Sequence, residues 1–180
     1  MSLRRRLPGT DKSVSENIKD EIKPLIKKAK IVSWQELPAW QQDNHFILSG
    51  YRVASGSFRK SFASLGYIHN ESVNIYSHLI GAIFFTLMAS ILYAIVKSSN
   101  VSNAKPADMI VFACFFLGCG LCLGMSATYH TISNHSPSIA RFGNKLDYVG
   151  IVSLIVGSFI PSIYYAFFCH PVLQKLYWSM

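Results

Sequence analysis

Ser126 and His130 stand four residues apart in SATYHTISNHSPSIARFGNKLDYVGI, residues 126–151, and Asp147 follows near the end of that stretch. Four residues is about one helical turn, so the hydroxyl and the imidazole share one helix face. A neutral imidazole is a natural zinc ligand, and a nearby carboxylate can hold a metal-bound water or orient a ligand by a hydrogen bond. His130 is therefore the candidate metal ligand, and Asp147 and Ser126 are the candidate catalytic residues. Two plainer readings stand beside this one: His130 as an interfacial histidine, and Asp147 as the N-cap of the next helix. One His and one Asp do not complete a zinc site, so the residues alone leave both readings open.

The elements that must carry these groups are membrane helices. Of the 180 residues 51% are hydrophobic and only 14% are charged, against about a quarter charged in a soluble domain. The windows 75–96, 109–129 and 148–169 contain no Lys, Arg, Asp or Glu. Each is long enough to cross ~30 Å of hydrocarbon as a helix, and none alternates as a barrel strand does. The fold class expected is an all-α membrane protein with three transmembrane helices, covering residues 75–180, behind a basic segment of residues 1–74. Ionisable groups at membrane depth are costly and face a polar interior, so Ser126 and His130 should look toward the third helix or a central cavity, with Asp147 within one water of His130.

Residues 1–74 hold 12 of the 17 Lys and Arg and seven acids, and no apolar stretch follows Arg4, Arg5 and Arg6 as a secretory signal would require. Basic residues massed before a span meet anionic lipid, which excludes nucleic acid as the reason for the +8 charge. Close to the membrane the positive charges tie: Arg59 and Lys60, then Lys97 and Lys105, then Arg141 and Lys145. The rest of the basic segment tilts the orientation toward a cytosolic N-terminus. Asn100 in NVS is formally a glycosylation acceptor, but lies too near the bilayer to be used.

Within the basic segment two capping-box starts occur, Ser13 with Glu16 and Ser33 with Glu36. After the first, Ile18, Ile22, Leu25 and Ile26 share a face among lysines, which reads either as an interfacial helix or as a solvated one, bent at Pro24. Trp34, Trp40, Phe46 and Tyr51 are aromatics of the headgroup type, and Asn70 with Glu71 forms an N-cap for the first span. Gly120 and Gly124, and Ser153 and Gly157, are the small-residue pairs expected at helix contacts, and Pro161 is expected to kink the third span. The four cysteines, Cys114, Cys119, Cys122 and Cys169, lie in or beside spans and read as free thiols.

YIHNESVNIYSHLIGA (67–82), SATYHTISNHS (126–136), KLDYVGI (145–151) and GSFIPSIYY (157–165) together resemble the progestin and adiponectin receptor family, related to hemolysin III. The pre-membrane LPAWQQDNHFILSGYR (37–52) is similar too, and the resemblance extends over about residues 34–178 of a fungal-like member. It implies a seven-helix bundle with a cytosolic N-terminus, in the endoplasmic reticulum or plasma membrane, of which this chain holds the first three helices. It further implies a zinc ion near the cytosolic side, bound by His130 and by an HxxxH pair in the seventh helix, with Asp147 and Ser126 nearby. Ceramide-like amide hydrolysis, a sterol-like ligand, and roles in zinc homeostasis and lipid metabolism or signalling belong to the same implication. The chain departs from the family by stopping at Met180, before the HxxxH pair, so His130 alone is expected to hold zinc weakly or not at all. The alternative is a non-enzymatic membrane protein that associates with full-length relatives.

Overall fold

The computed structural model describes residues 30–98 and 105–180. The lysine-flanked helix expected after Ser13, and Asn100, lie outside the described residues. The chain divides into two compact units, Met1–Val53 and Ala54–Met180.

In the described part of the first unit, Ile31–Val32 pairs antiparallel with Tyr51–Arg52. Between them the chain makes two short 3-10 turns, Trp34–Glu36 and Ala39–Gln41. Val32, Leu37 and Tyr51 are buried together, with Trp34, Ile47 and Val53 against them. Tyr51 is thus a core residue and not a headgroup anchor; its hydroxyl donates to the Asn44 carbonyl at 2.7 Å. Phe46, by contrast, is 82% exposed. The Ser33–Glu36 box starts a single 3-10 turn, Trp34–Glu36. The Glu36 carboxylate accepts from both the Ser33 N–H at 2.7 Å and the Ser33 hydroxyl at 2.6 Å. Those two donors hold the Glu36 carboxyl below its usual range. Gly50 turns the chain into the second strand at φ +86°, a conformation that a side chain would strain.

The second unit is helical. A short helix, Phe58–Ala63, precedes three long ones, Ser72–Ser98, Pro106–Ile132 and Pro137–Ala166, and Pro171–Trp178 closes the chain. The three long helices have 27, 27 and 30 residues, more than the ~20 that span a bilayer. Their outward surfaces carry exposed Leu, Ile, Val and Phe throughout, the pattern of helices solvated by hydrocarbon. The chain is an integral membrane protein. The second span lies between the other two and packs against both, most extensively against the third.

The third span begins eleven residues earlier than its hydropathy indicates, at Pro137 and not at 148. Ser136 is its N-cap, its hydroxyl accepting from Ile139 N–H at 3.5 Å, and Pro137 occupies the first turn where a missing N–H costs nothing. Arg141, Lys145 and Asp147 fall within this first part of the helix, which is why the apolar window missed it. Asp147 is accordingly a mid-helix residue and not an N-cap. The helix continues through Pro161 and ends at Ala166.

Glycines set the contact between the second and third spans, though not all of those expected. A Cβ at Gly143 would fall 2.9 Å from the Tyr129 ring, at Gly150 2.9 Å from Cys122 Cα, and at Gly157 2.6 Å from the Cys114 carbonyl oxygen. Opposite Gly157, a Cβ at Gly118 would meet the Ser153 carbonyl oxygen at 2.9 Å. Gly143, Gly150 and Gly157 recur every seven residues, the spacing that keeps one stripe facing a left-handed crossing. Gly124 meets nothing within 4 Å and Gly120 only the Thr86 hydroxyl at 3.8 Å, so the seam runs through Gly118 and not through the expected Gly120 and Gly124.

Candidate functional site

The start of the first span, the end of the second and the early turns of the third lie at one end of the bundle. The first span is set in place by the turn that precedes it. The His69 N–H donates to the Ser72 hydroxyl at 2.9 Å, and the Glu71 N–H donates to His69 Nδ1 at 3.1 Å. The Glu71 carbonyl accepts the first helical bond, from Ile75 N–H at 3.0 Å, so Glu71 occupies the N-cap position as expected. Its carboxylate, however, reaches across to the second span. Oε2 lies 2.7 Å from His130 Nδ1. Asn74 Nδ2 donates to the same oxygen at 3.0 Å, and Asn70 Nδ2 donates to Oε1 at 2.8 Å. The side chains of His130 and Glu71 are 18% and 15% exposed, so the pair is largely withdrawn from solvent.

Two turns into the first span, His78 Nδ1 lies 2.7 Å from the buried Ser126 hydroxyl; either atom can donate. The His78 and His130 rings sit edge to face with centroids 6.1 Å apart. Ser126 and His130 do share a face, as their spacing indicates, but that face looks at the first span and not at the third. Glu71, Asn74 and His78 form the opposing row. Asp147, on the third span, lies near enough to Cys122 for its charge to be felt there. The contacts of Gly143 with Tyr129 and of Gly150 with Cys122 fix the antiparallel register, and between them Asp147 comes level with the turn that holds Ser126. Among the described residues Asp147 has no hydrogen bond to His130. The hydroxyl, the two imidazoles and the Glu71 carboxylate are thus directly engaged with one another across the first and second spans, and Asp147 belongs to the third span at about the same level.

His135 and His170 stand apart. His135 lies in the loop after the second span, where its ring packs on Phe58 at 4.3 Å between centroids and its carbonyl accepts from Gly56 N–H at 3.0 Å. Beside it the Asn134 carbonyl accepts from Ser55 N–H at 2.8 Å, and Asn134 Oδ1 accepts from the buried Ser61 hydroxyl at 2.8 Å. These bonds fasten the short helix Phe58–Ala63 to the loop and so anchor the approach to the first span. His170 follows the third span at the opposite end, where Tyr165 donates to Asp108 at 2.9 Å.

A zinc site must draw on more than this. Among the described residues no group of three His, Cys, Asp and Glu side chains is placed to hold a metal ion. The residues fit one corner of such a site: a half-buried imidazole at the end of the second span, held through one ring nitrogen by a carboxylate. Apart from these residues, an apolar groove of about 540 Å³ follows the seam of the second and third spans, lined by Leu117, Leu121, Val149, Val152 and Val156 among others.

Glu71 and His78 are the residues that spacing could have revealed. They stand with Asn74 at i, i+3 and i+7 of the first span, one polar row on an otherwise apolar helix.

Residues 66–180 match the family model described as Haemolysin-III related. The chain is 39% identical over 173 residues to the adiponectin receptor protein of Drosophila melanogaster, a match covering 93% of this chain and 38% of that protein. It is 41% identical over 170 residues to the ADIPOR-like receptor IZH2 of Saccharomyces cerevisiae, covering 92% of this chain and 51% of the relative. It is 37% identical over 158 residues to heptahelical transmembrane protein 1 of Arabidopsis thaliana, covering 84% and 46%. The chain therefore spans about half the length, or less, of the relatives it matches.

Proposed function

The chain belongs to the haemolysin-III related family, whose adiponectin receptor-like relatives it matches along most of its length, and on that premise we propose that it forms the first three helices of a seven-helix membrane protein with a zinc site near the cytosolic face. The observation that carries this reading is His130. It sits at the end of the second span, half-buried, with its Nδ1 on Glu71 Oε2 at 2.7 Å, the arrangement in which metal-ligating histidines are held by a carboxylate. His130 supplies one zinc ligand, Ser126 stands one turn before it and Asp147 joins from the third span, and the remaining ligands come from helices beyond this chain. A bound zinc would polarise a carbonyl and lower the pKa of a water, the chemistry of amide hydrolysis on a ceramide-like lipid. The hydrocarbon-lined groove along the seam of the second and third spans supports a lipid partner, whether amide- or sterol-like. At the level of process, the reading is zinc homeostasis and lipid metabolism or signalling in the endoplasmic reticulum or plasma membrane, with a cytosolic N-terminus.

The test is to co-express the chain with the C-terminal part of the Saccharomyces cerevisiae relative that it does not match, purify the assembly, and measure bound zinc. The expected result is about one zinc per assembly, lost with His130→Ala. Zinc retained in that variant, or absent from the assembly, overturns the reading. Orientation is checked separately with glycosylation tags in microsomes: modification at the C-terminal tag only is expected, and modification at the N-terminal tag only reverses the topology.

A further inference from the structure

The geometry points to Glu71 as the positioning residue that fixes the tautomer of His130 and so aims its Nε2 lone pair. An ionised carboxylate accepts hydrogen bonds and cannot donate. The hydrogen between Glu71 Oε2 and His130 Nδ1, 2.7 Å apart, therefore rides on nitrogen, and a neutral ring protonated at Nδ1 carries its lone pair on Nε2. A neutral imidazole in water favours the opposite tautomer, with the proton on Nε2, so Glu71 reverses a natural preference.

The structure spends four other contacts on keeping that carboxylate in place. Asn70 and Asn74 each donate to one of its oxygens, at 2.8 and 3.0 Å. The Glu71 N–H is tied to His69 Nδ1 at 3.1 Å, and the His69 N–H in turn to the Ser72 hydroxyl at 2.9 Å. Backbone and side chain of Glu71 are thus both fixed before it meets His130. Nothing in the helix itself needs this: Glu71 already fills the N-cap position through its carbonyl, and a carboxylate serving only as a cap would turn toward the first N–H groups of its own helix. It crosses to the second span instead, with the contact made between residues 59 positions apart. His78 does not share this role. Its Nδ1 partner is a hydroxyl, which can donate or accept and so imposes no tautomer.

This inference rests on the reading of His130 as a metal ligand only for its consequence; the tautomer itself is independent of any metal. The test therefore has two arms on the 180-residue chain, labelled with nitrogen-15 histidine in detergent micelles, with the His130 signals assigned by His130→Asn. In the first arm, recorded at a pH where the imidazole ring is neutral, wild type is expected to show His130 protonated at Nδ1. Glu71→Ala is expected to bring in the Nε2-protonated form, and Glu71→Gln, whose amide can accept from Nδ1–H or donate to Nδ1, a mixture between the two. The His78 signals serve as the control for folding and should be unmoved in all three. A His130 ring protonated at Nε2 in wild type, or the same in wild type and Glu71→Ala, overturns the proposal. Should Glu71→Ala fail to fold, the wild-type tautomer alone decides.

In the second arm the same labelled chain is assembled with the unmatched C-terminal part of the Saccharomyces cerevisiae relative, Zn²⁺ is titrated and the perturbation of the His130 Nε2 signal is followed. Glu71→Ala is expected to need about ten- to a hundredfold more Zn²⁺ than wild type, with Glu71→Gln between them. Equal response in all three overturns the positioning role. If wild-type His130 responds to no Zn²⁺ while the first arm gives the expected tautomers, Glu71 keeps its role and the zinc reading of His130 in this chain fails instead.

Discussion

The second span is held on its two sides by different means. Toward the first span it presents side chains: Ser126 and His130 meet His78 and Glu71 at 2.7 Å each. Toward the third it presents backbone, with Gly118 against Gly157 and Cys122 against Gly150 so close that a single methyl would collide. The first seam is joined by groups that can carry protons or bind a metal, and the second chiefly by close backbone approach at its glycines. A close-packed glycine seam supplies dispersion contacts that lipid cannot match, whereas the polar seam gains little over the polar partners a separated helix would find. The glycine seam should therefore carry most of the stability and the polar seam most of the function.

The largest stability effect is expected at Gly157. An Ala there puts Cβ 2.6 Å from the Cys114 carbonyl oxygen, and relieving that clash means moving two helices apart at a cost of about 1–3 kcal/mol. Gly150→Ala, against Cys122, should cost a similar amount, and either loss is measured by unfolding in mixed micelles. A result within error of wild type would mean that the seam yields freely and does not hold the bundle. Ser126→Ala, which deletes the hydroxyl facing His78, should cost only about 0.6 kcal/mol, the average for a hydrogen bond between membrane helices. If it costs more than Gly157→Ala, the ranking of the seams is reversed. Gly124→Ala, where the added methyl meets nothing within 4 Å, should change stability by no more than about 0.5 kcal/mol.

The difference between the seams also explains what could be read from the sequence. The existence of three spans was legible because each contains about twenty uncharged residues in succession. The start of the third was not, since Arg141, Lys145 and Asp147 lie inside the helix and hydropathy stops where they begin. Ser136 followed by Pro137 did mark that start in capping terms. His130 and Ser126 were found by their shared face, but the direction of that face was misjudged, because their partners are 59 and 48 residues away and no local pattern links them. Gly120 and Gly124 were chosen by spacing alone, yet it is the seven-residue rhythm of Gly143, Gly150 and Gly157 that matches a packed seam. Small residues four apart are too common to say which face of a helix meets its neighbour.

The smallest effect is expected outside the spans, at Glu36. Its carboxyl is held below the ordinary value of 4.5 by the Ser33 hydroxyl and N–H. A lowered folded-state pKa means that the contribution is complete above about 4.5 and fades as pH falls through the lower value of the folded chain. Trp34 fluorescence, reporting on the turn that this pair closes, should therefore shift on acidification in wild type and less in Ser33→Ala. No difference between the two would show that the pair does not hold the turn.

The most direct measurement sets the two seams against each other in one assembly of the chain with the unmatched part of the yeast relative. Zinc content and unfolding stability are measured for His130→Ala and Gly157→Ala side by side. The expected result is a crossed pair: His130→Ala loses the zinc and stays within about 1 kcal/mol of the stability of the wild-type assembly stripped of zinc, while Gly157→Ala keeps its zinc at saturating metal and loses about 1–3 kcal/mol. Zinc retained in His130→Ala, or a metal-free His130→Ala assembly as unstable as the Gly157→Ala one, would contradict the division of labour between the polar and the glycine seam.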